Sequence, residues 1–326
     1  MKRRKFITLI GGAAAVWSVS ALAQDHPQKP PLIGFLAGAT LPSERSGMFV
    51  QGLQELGYIE GRDFHVTYRA AEGYQDRLPA LAEELVALKP AVMIGAGLDA
   101  AVALSKMTKT IPIVSPTLAD ATHLGLIASE AHPAGNVTGI EPYVAGLPAK
   151  QMELAREIVS GASSVGLLTN LSDPKAPPQA RELEAAARGL EVNVTSSDAN
   201  KPEEIETALQ VLASRRVDVV IVLQTSMLLD NSRQIAISAS AKRLPTVYGY
   251  REHVVAGGLV SYGVDLRWCY RRSASFVDKI LRGARPGDLP VEFPSKMLLS
   301  VNLQTAKALG LTVPSSLLVR ADEVIE

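Results

Sequence analysis

Small hydroxyls, amides and glycines recur in this chain directly after short apolar runs. Ala37-Gly38-Ala39-Thr40 follows Leu32 to Leu36, Gly95-Ala96-Gly97-Leu98-Asp99 follows Ala91 to Ile94, and Ser115-Pro116-Thr117 follows Ile111 to Val114. In the second half Thr169-Asn170, Gln224-Thr225-Ser226 and Tyr248-Gly249-Tyr250-Arg251-Glu252 hold the same position. Groups of this kind suit recognition more than bond-making. Hydroxyls, amides and glycine backbone hold a carboxylate or another small polar head, and tyrosines cover an apolar or aromatic body. The candidate ligand-binding residues on this reading are Gly38, Ala39, Thr40, Gly97, Asp99, Thr117, Asn170, Gln224, Thr225 and Tyr250. The Ser, Thr, Asn and Asp side chains among them also suit helix N-caps, and a cap can still touch a ligand.

Other chemistries find little support. Gly95-Ala96-Gly97-Leu98-Asp99-Ala100 matches a dinucleotide-binding glycine pattern with a relaxed last position, and Asp120 lies about 20 residues on. The match sits on the third strand, however, and Asp120 falls six residues beyond Val114 instead of ending the next strand. There is no Walker phosphate loop and no Gly-x-Ser-x-Gly elbow. His26, His65, His123, His132 and His253 are scattered without metal-ligand spacing, so no metal site is expected. Glu83-Glu84 and Glu203-Glu204 read as solvated helix faces. No nucleophile stands with a base, so no catalytic residue, enzyme activity or cofactor is expected.

The elements that position these loops alternate in type. Strands are predicted at Leu32–Leu36, Phe64–Tyr68, Ala91–Ile94, Ile111–Val114, Ser164–Leu168, Glu191–Thr195, Val217–Leu223, Thr246–Tyr248 and Leu259–Tyr262. Helices are predicted at Ser43–Leu56, Tyr74–Leu88, Asp99–Met107, Ala149–Val159, Pro178–Leu190, Lys201–Ser214, Asp230–Lys242 and Leu266–Leu281. This spacing means βαβ units: an α/β fold with parallel sheets covered by helices on both faces. About four strands precede Gly135 and about five follow, which implies one open sheet per half. Gly135-Asn136-Val137-Thr138-Gly139 and Glu141-Pro142 to Pro148 fall at the boundary and read as the first crossing between the halves. In open parallel sheets ligands bind at the carboxyl ends of strands, where the loops above lie.

The first 24 residues address the chain. Lys2-Arg3-Arg4-Lys5-Phe6 precedes an apolar run from Ile7 to Val19, and Ala21-Leu22-Ala23 supplies the small residues of a signal-peptidase site, so cleavage is expected after Ala23. The run is too short for a bilayer core of roughly 30 Å. The paired arginines resemble a twin-arginine signal, and a Sec signal also begins with basic residues. Of the 33 lysines and arginines four lie in this segment, so the remainder is mildly acidic beside 33 Asp and Glu, which argues against a nucleic-acid partner. The roughly 300 residues that follow exceed one ordinary core and suggest two lobes. Cys269 is the single cysteine; its helical neighbours Leu266, Phe276 and Ile280 make it a buried structural thiol.

From Leu32 to the C-terminus the chain resembles the extracytoplasmic substrate-binding proteins of ABC transporters, in particular the tryptophan/tyrosine-type subfamily with the type I periplasmic binding protein fold. The likeness is carried by Ile33-Gly34-Phe35-Leu36, the run Gln51 to Gly61, Tyr68-Arg69 with Ala71-Glu72-Gly73, and Arg77 to Ala82. Gly135 to Gly139, Ala256 to Gly263, Asn302 to Leu311 and Arg320-Ala321-Asp322-Glu323 continue it in order. The resemblance implies two Rossmann-like lobes joined by three crossovers: residues 32–140 with about 264–288, and 141–263 with about 289–326, after a leader at 24–31. It implies a periplasmic, monomeric protein that captures a small organic ligand, such as an amino acid or aromatic carboxylate, in the inter-lobe cleft and delivers it to an ABC permease in the inner membrane. A sensor subunit for a membrane receptor, or an exported α/β enzyme, are the alternatives. The resemblance implies ligand contacts at Thr40, Leu98, Asp99, Thr117, Asn170 and Thr225. Ala70 replaces an aromatic common in relatives, Asp120-Ala121-Thr122 replaces Asp-Pro-Val, and Gln224 to Leu228 is atypical, so the likeness does not name the ligand.

Overall fold

The computed structural model describes residues 29–326 apart from Ala39, Thr40, Pro42 and Tyr143. The export segment, its cleavage site and most of the leader lie outside the described residues, as do the candidates Ala39 and Thr40.

The first lobe is built on β1 (Leu32–Ala37), α1 (Glu44–Glu55), β2 (His65–Ala70), α2 (Leu78–Ala87), β3 (Val92–Ala96), α3 (Leu98–Met107), β4 (Ile113–Ser115) and β5 (Val137–Gly139). Its five strands are all parallel in the order β2-β1-β3-β4-β5. The second lobe holds α4 (Leu147–Ile158), β6 (Ser164–Thr169), α5 (Ala176–Gly189), β7 (Asn193–Asp198), α6 (Ile205–Ser214), β8 (Val219–Val222), α7 (Ser226–Asp230) and α8 (Ser232–Ala241). It continues with β9 (Thr246–Tyr248), α9 (Arg251–Val255) and β10 (Val260–Val264). After α10 (Leu266–Leu281) come β11 (Met297–Asn302), α11 (Leu303–Leu309), α12 (Ser315–Arg320) and β12 (Glu323–Ile325). The seven strands run β12-β11-β10-β9-β8-β6-β7, with only the β10–β11 pair antiparallel.

Apolar strands sealed on both faces explain the layering. Ile33, Phe35, Val92, Ile94 and Val114 point to one side of the first sheet, into a core shared with Phe49, Cys269, Phe276 and Val277. Leu36, Met93 and Ile113 point to the other side, against Leu78, Leu85 and Leu104 of α2 and α3. Thus α10, which follows β10 of the second lobe, returns to cover the first. Asp265 caps it, and Leu266, Cys269, Tyr270, Ser273, Ala274, Phe276, Val277 and Ile280 form its buried face. Gly52 makes the close α1–α10 approach possible: a Cβ there would lie 2.4 Å from the carbonyl oxygen of Arg271. The chain then follows the first lobe, where the Gly287 carbonyl accepts from Ala134 N–H at 3.0 Å and the Leu289 carbonyl accepts from the Thr138 hydroxyl at 2.7 Å, before β11 enters the second sheet.

The structure departs from the sequence reading in β11, α11, α12 and β12, for which no element was expected, and at three further places. Val137–Gly139 is a strand, not part of the crossing; three residues are too few to show a period, and the pairing with β4 decides it. The helix predicted at Asp230–Lys242 is instead α7 and α8, broken at Asn231, whose amide donates to the Met227 carbonyl at 2.8 Å. Arg251–Val255, read as loop, forms α9.

Candidate ligand site between the lobes

Both sheets reverse their winding once, between β1 and β3 in the first lobe and between β6 and β8 in the second. Loops diverge at such a point and leave a crevice beyond the strand ends. Here the two crevices face each other. The cavity between them is walled from the first lobe by Phe35, Ala37, Ala96, Gly97 and Thr117, with Leu266 and Tyr270 of α10, and from the second by Thr225, Ser226, Leu229 and Tyr250. Three charged side chains also reach it: Arg45 of α1, Lys175 before α5 and Asp230 of α7. It is narrow, leaving about 30 Å³ for the centres of water-sized molecules, room for only about two waters.

Of the sequence candidates, Gly97, Thr117, Thr225 and Tyr250 lie on the cavity wall. Thr225 is fully buried and caps α7, its hydroxyl accepting from Leu228 N–H at 3.5 Å. Asp99, in the first turn of α3, is half-buried and has no hydrogen-bond partner among the described residues. Burial, and then the nearby Asp173 carboxylate, push its carboxyl up to about 6 against the pull of Lys175. Leu98 is wholly buried in the first-lobe core. Asn170 is buried, and its side-chain oxygen accepts from the Ser172 hydroxyl at 2.5 Å. Gln224 is tied down by backbone bonds to the Gln179 amide at 2.8 and 3.1 Å and, through its own amide, to the Gly249 carbonyl at 3.4 Å. Gly38 sits beside the Gln75 amide, and its carbonyl accepts from Gly73 N–H at 2.7 Å.

Sequence reasoning missed the charges. Asp173 accepts from the backbone N–H of Lys175 at 2.9 Å and of Ser226 at 3.1 Å, which joins the loops after β6 and β8. The Lys175 ammonium lies 3.6 Å from the Asp173 carboxylate and 3.4 Å from the Ser226 hydroxyl. Burial disfavours its charge, but Asp173, Tyr250 and Asp99 outweigh this and hold its pKa above the usual lysine range. The guanidinium of Arg45 meets Asp230 at 2.7 Å across the cleft; burial pushes the Asp230 carboxyl up while Arg45 pulls it down. The strand-end rule, followed five residues past Asn170, would have reached Asp173 and Lys175. Arg45 and Asp230 carry no local signal, because each is defined by a partner in the other lobe.

Behind the wall, His253 and Cys269 are buried. Burial pushes the His253 imidazole down to about 3 and the Cys269 thiol up, so neither is poised for chemistry at neutral pH. No group of three His, Cys, Asp or Glu among the described residues is arranged to hold a metal. No helix among them is long and apolar enough to cross a membrane.

Comparison with known proteins agrees with this architecture. A crystal structure from Streptococcus pneumonia, an ABC domain in complex with L-Trp, is 26% identical with a TM-score of 0.84, covering 91% of this chain and 100% of its own. A conserved domain protein from Vibrio cholerae is 25% identical with the same TM-score of 0.84 and the same coverage of 91% and 100%. A tyrosine-binding protein of Clostridioides difficile is 23% identical over 263 residues, 81% of this chain and 75% of the relative. Residues 32–325 match the family described as ABC transporter substrate binding protein. With two lobes of mostly parallel sheet on either side of one cavity and a match over nearly all the described residues, the chain belongs to the family of ABC transporter substrate-binding proteins.

Proposed function

We propose that this substrate-binding protein works as a monomer in the periplasm, after removal of residues 1–23, and delivers an amino acid with an apolar or aromatic side chain to an ABC permease in the inner membrane. The observation that carries the reading is the division of charge across the cleft. Lys175 stands on the second lobe and Asp99 on the first, each in the other's field. Phe35, Leu229, Tyr250 and Tyr270 line the cavity with Lys175, and Asp99 lies in the first turn of the helix that follows Gly97 of the same wall. A carboxylate directed to Lys175 and an ammonium directed to Asp99 would place the ligand's side chain against the aromatic wall. L-Trp and tyrosine, named for two of the relatives, have this outline. The lobes are assigned as residues 32–140 with about 264–288, and 141–263 with about 289–326, so that both sides of the cleft can close by hinge motion at the crossings.

Thermal-shift measurements on the mature protein test the reading, with L-tryptophan, L-tyrosine, L-phenylalanine, branched-chain amino acids and the matching amine-free carboxylates. A ligand at about 100 times its dissociation constant stabilises the folded state by about 2.7 kcal/mol, a clear shift. Amino acids should shift the transition and amine-free analogues should not. A shift with the carboxylates alone, or with none of the set, overturns the proposed ligand class.

A further inference from the structure

We infer that α7 is a latch that holds the two lobes closed, fastened at one end by the Arg45–Asp230 ion pair and seated at the other where Ser226 meets Gly97. The inference rests on the two-lobed cleft described above and not on the identity of its ligand. Asp230 ends α7 on the second lobe and Arg45 lies in the first turn of α1 on the first; their 2.7 Å contact is nearly sealed, with side chains 17% and 9% exposed. Among the described residues, the other ion pairs of the α1 to α3 region, Arg62–Asp63, Arg69–Glu84, Arg77–Glu72 and Glu55–Arg271, stay within the first-lobe body. At the opposite end of α7, a Cβ on Gly97 would lie 3.3 Å from the Ser226 hydroxyl, so the surfaces meet closely there too.

The break at Asn231 makes this placement possible. It frees α7 from α8, so that five residues can run along the cleft while α8 packs on the outside of the sheet with Ile235 and Ala239. Ser226 is fixed by the Asp173 carboxylate and the other end by the Asn231 amide, so the element moves with the second lobe as a unit. An ion pair across a hinge cleft biases closure when its attraction in the closed form exceeds the hydration both charges regain on opening, and the 2.7 Å hydrogen-bonded contact of Arg45 with Asp230 supplies that attraction. Arg45 also stands in the fields of Tyr270 and Glu252. Glu252 belongs to the second lobe and is an alternative partner when Asp230 is neutralised, so both ends of the pair need to be altered.

The measurement is a spin-label distance between Asp76→Cys and Glu203→Cys in the full mature protein with no amino acid added. Both sites are exposed, on either side of the place where Gly73 and Pro202 approach across the cleft. The native thiol is buried and stays unlabelled. The parent should show a short-distance population. Arg45→Gln should cut its ratio to the long-distance population about fivefold or more, Asp230→Asn should cut it by less because Glu252 can take the place of Asp230, and the double variant should fall no further than Arg45→Gln. A parent with no short-distance population, or folded variants that keep its distribution, overturns the latch. Failure of every amino acid to bind would overturn the proposed ligand instead and leave this readout unaffected.

Discussion

The imidazole of His253 stacks on the phenol of Tyr248, with centroids 4.4 Å apart and planes 18° from parallel, both rings sealed behind the cavity wall. Burial pushes the His253 pKa down to about 3. The unfolded chain binds a proton near pH 6.5 and the folded one does not, so this group's stability contribution is lost as pH falls from about 6.5 toward 3. Asp99, raised to about 6, acts in the opposite sense and favours the folded state as pH falls below 6. The test is a comparison of denaturant unfolding at pH 7.5 and pH 5 for the parent and His253→Gln. The loss of stability between those pH values should be smaller in the variant. An equal loss in both would show that His253 becomes charged without unfolding.

Gly52 and Arg271 fix the spacing of α1 and α10, the two helices that seal one face of the first sheet. Because a Cβ at position 52 would approach the Arg271 backbone oxygen to 2.4 Å, Gly52→Ala must push the helices apart. Overpacking of this kind costs about 1 to 3 kcal/mol. Gly47, on the same helix, has nothing within 4 Å of its Cβ position, so Gly47→Ala should be neutral or stabilising. Chemical unfolding of the pair of variants should separate them by well over 1 kcal/mol; equal midpoints would refute the packing argument.

The contrast between those two glycines also shows what could be read from the chain alone. Leu266–Leu281 has the bounds the sequence predicts, because its apolar residues recur at helical spacing; the Asp265 cap appears only in the structure. The loops after β1, β3, β6 and β8 were legible because strand, turn and cap signals are local. The strand order that makes them face one cleft was not, since pairing joins residues far apart in the chain. Likewise Thr225 and Gly97 announce themselves as cap and turn, whereas Arg45 and Asp230 look like ordinary solvated charges until folding brings them to 2.7 Å. The antiparallel β11 and the following α11, α12 and β12 gave no clear alternation of their own; they belong to the fold through pairing with β10.

Asp99 offers a pH test of ligand recognition. Its carboxyl is faced by Asp173, Lys175 and Asp230 from the second lobe and is raised to about 6, first by burial. A ligand ammonium bound there needs the ionised form, so affinity for an amino acid should weaken as pH falls from 7.5 through 6. Asp99→Asn keeps the shape and removes the charge, a loss of about 1.5 to 3 kcal/mol or roughly ten- to hundredfold in affinity. It should also flatten the pH dependence between 7.5 and 5.5. Calorimetry at both pH values decides: a folded variant with parental affinity and an unchanged pH slope would remove Asp99 from the site.

The closing contact at Gly97 leads to a variant that separates binding from folding. Gly97 has a φ of 116°, a conformation that costs a residue with a Cβ about 1 to 3 kcal/mol, and it precedes α3 on the cavity wall. Gly97→Ala adds a Cβ that would lie 3.3 Å from the Ser226 hydroxyl, a contact between the lobes that is made only when they close. Backbone strain is present whether the cleft is open or shut and lowers stability. The tight contact with Ser226, which must yield by a few tenths of an ångström, is confined to the closed form and is expected to lower ligand affinity. Pairing the change with Ser226→Gly removes the contact and leaves the strain. The single variant should therefore lose both stability and affinity, and the double variant should regain affinity by several-fold without regaining stability. If the second change restores neither, or if Gly97→Ala binds as tightly as the parent, the seat of α7 against the first lobe is not part of closure.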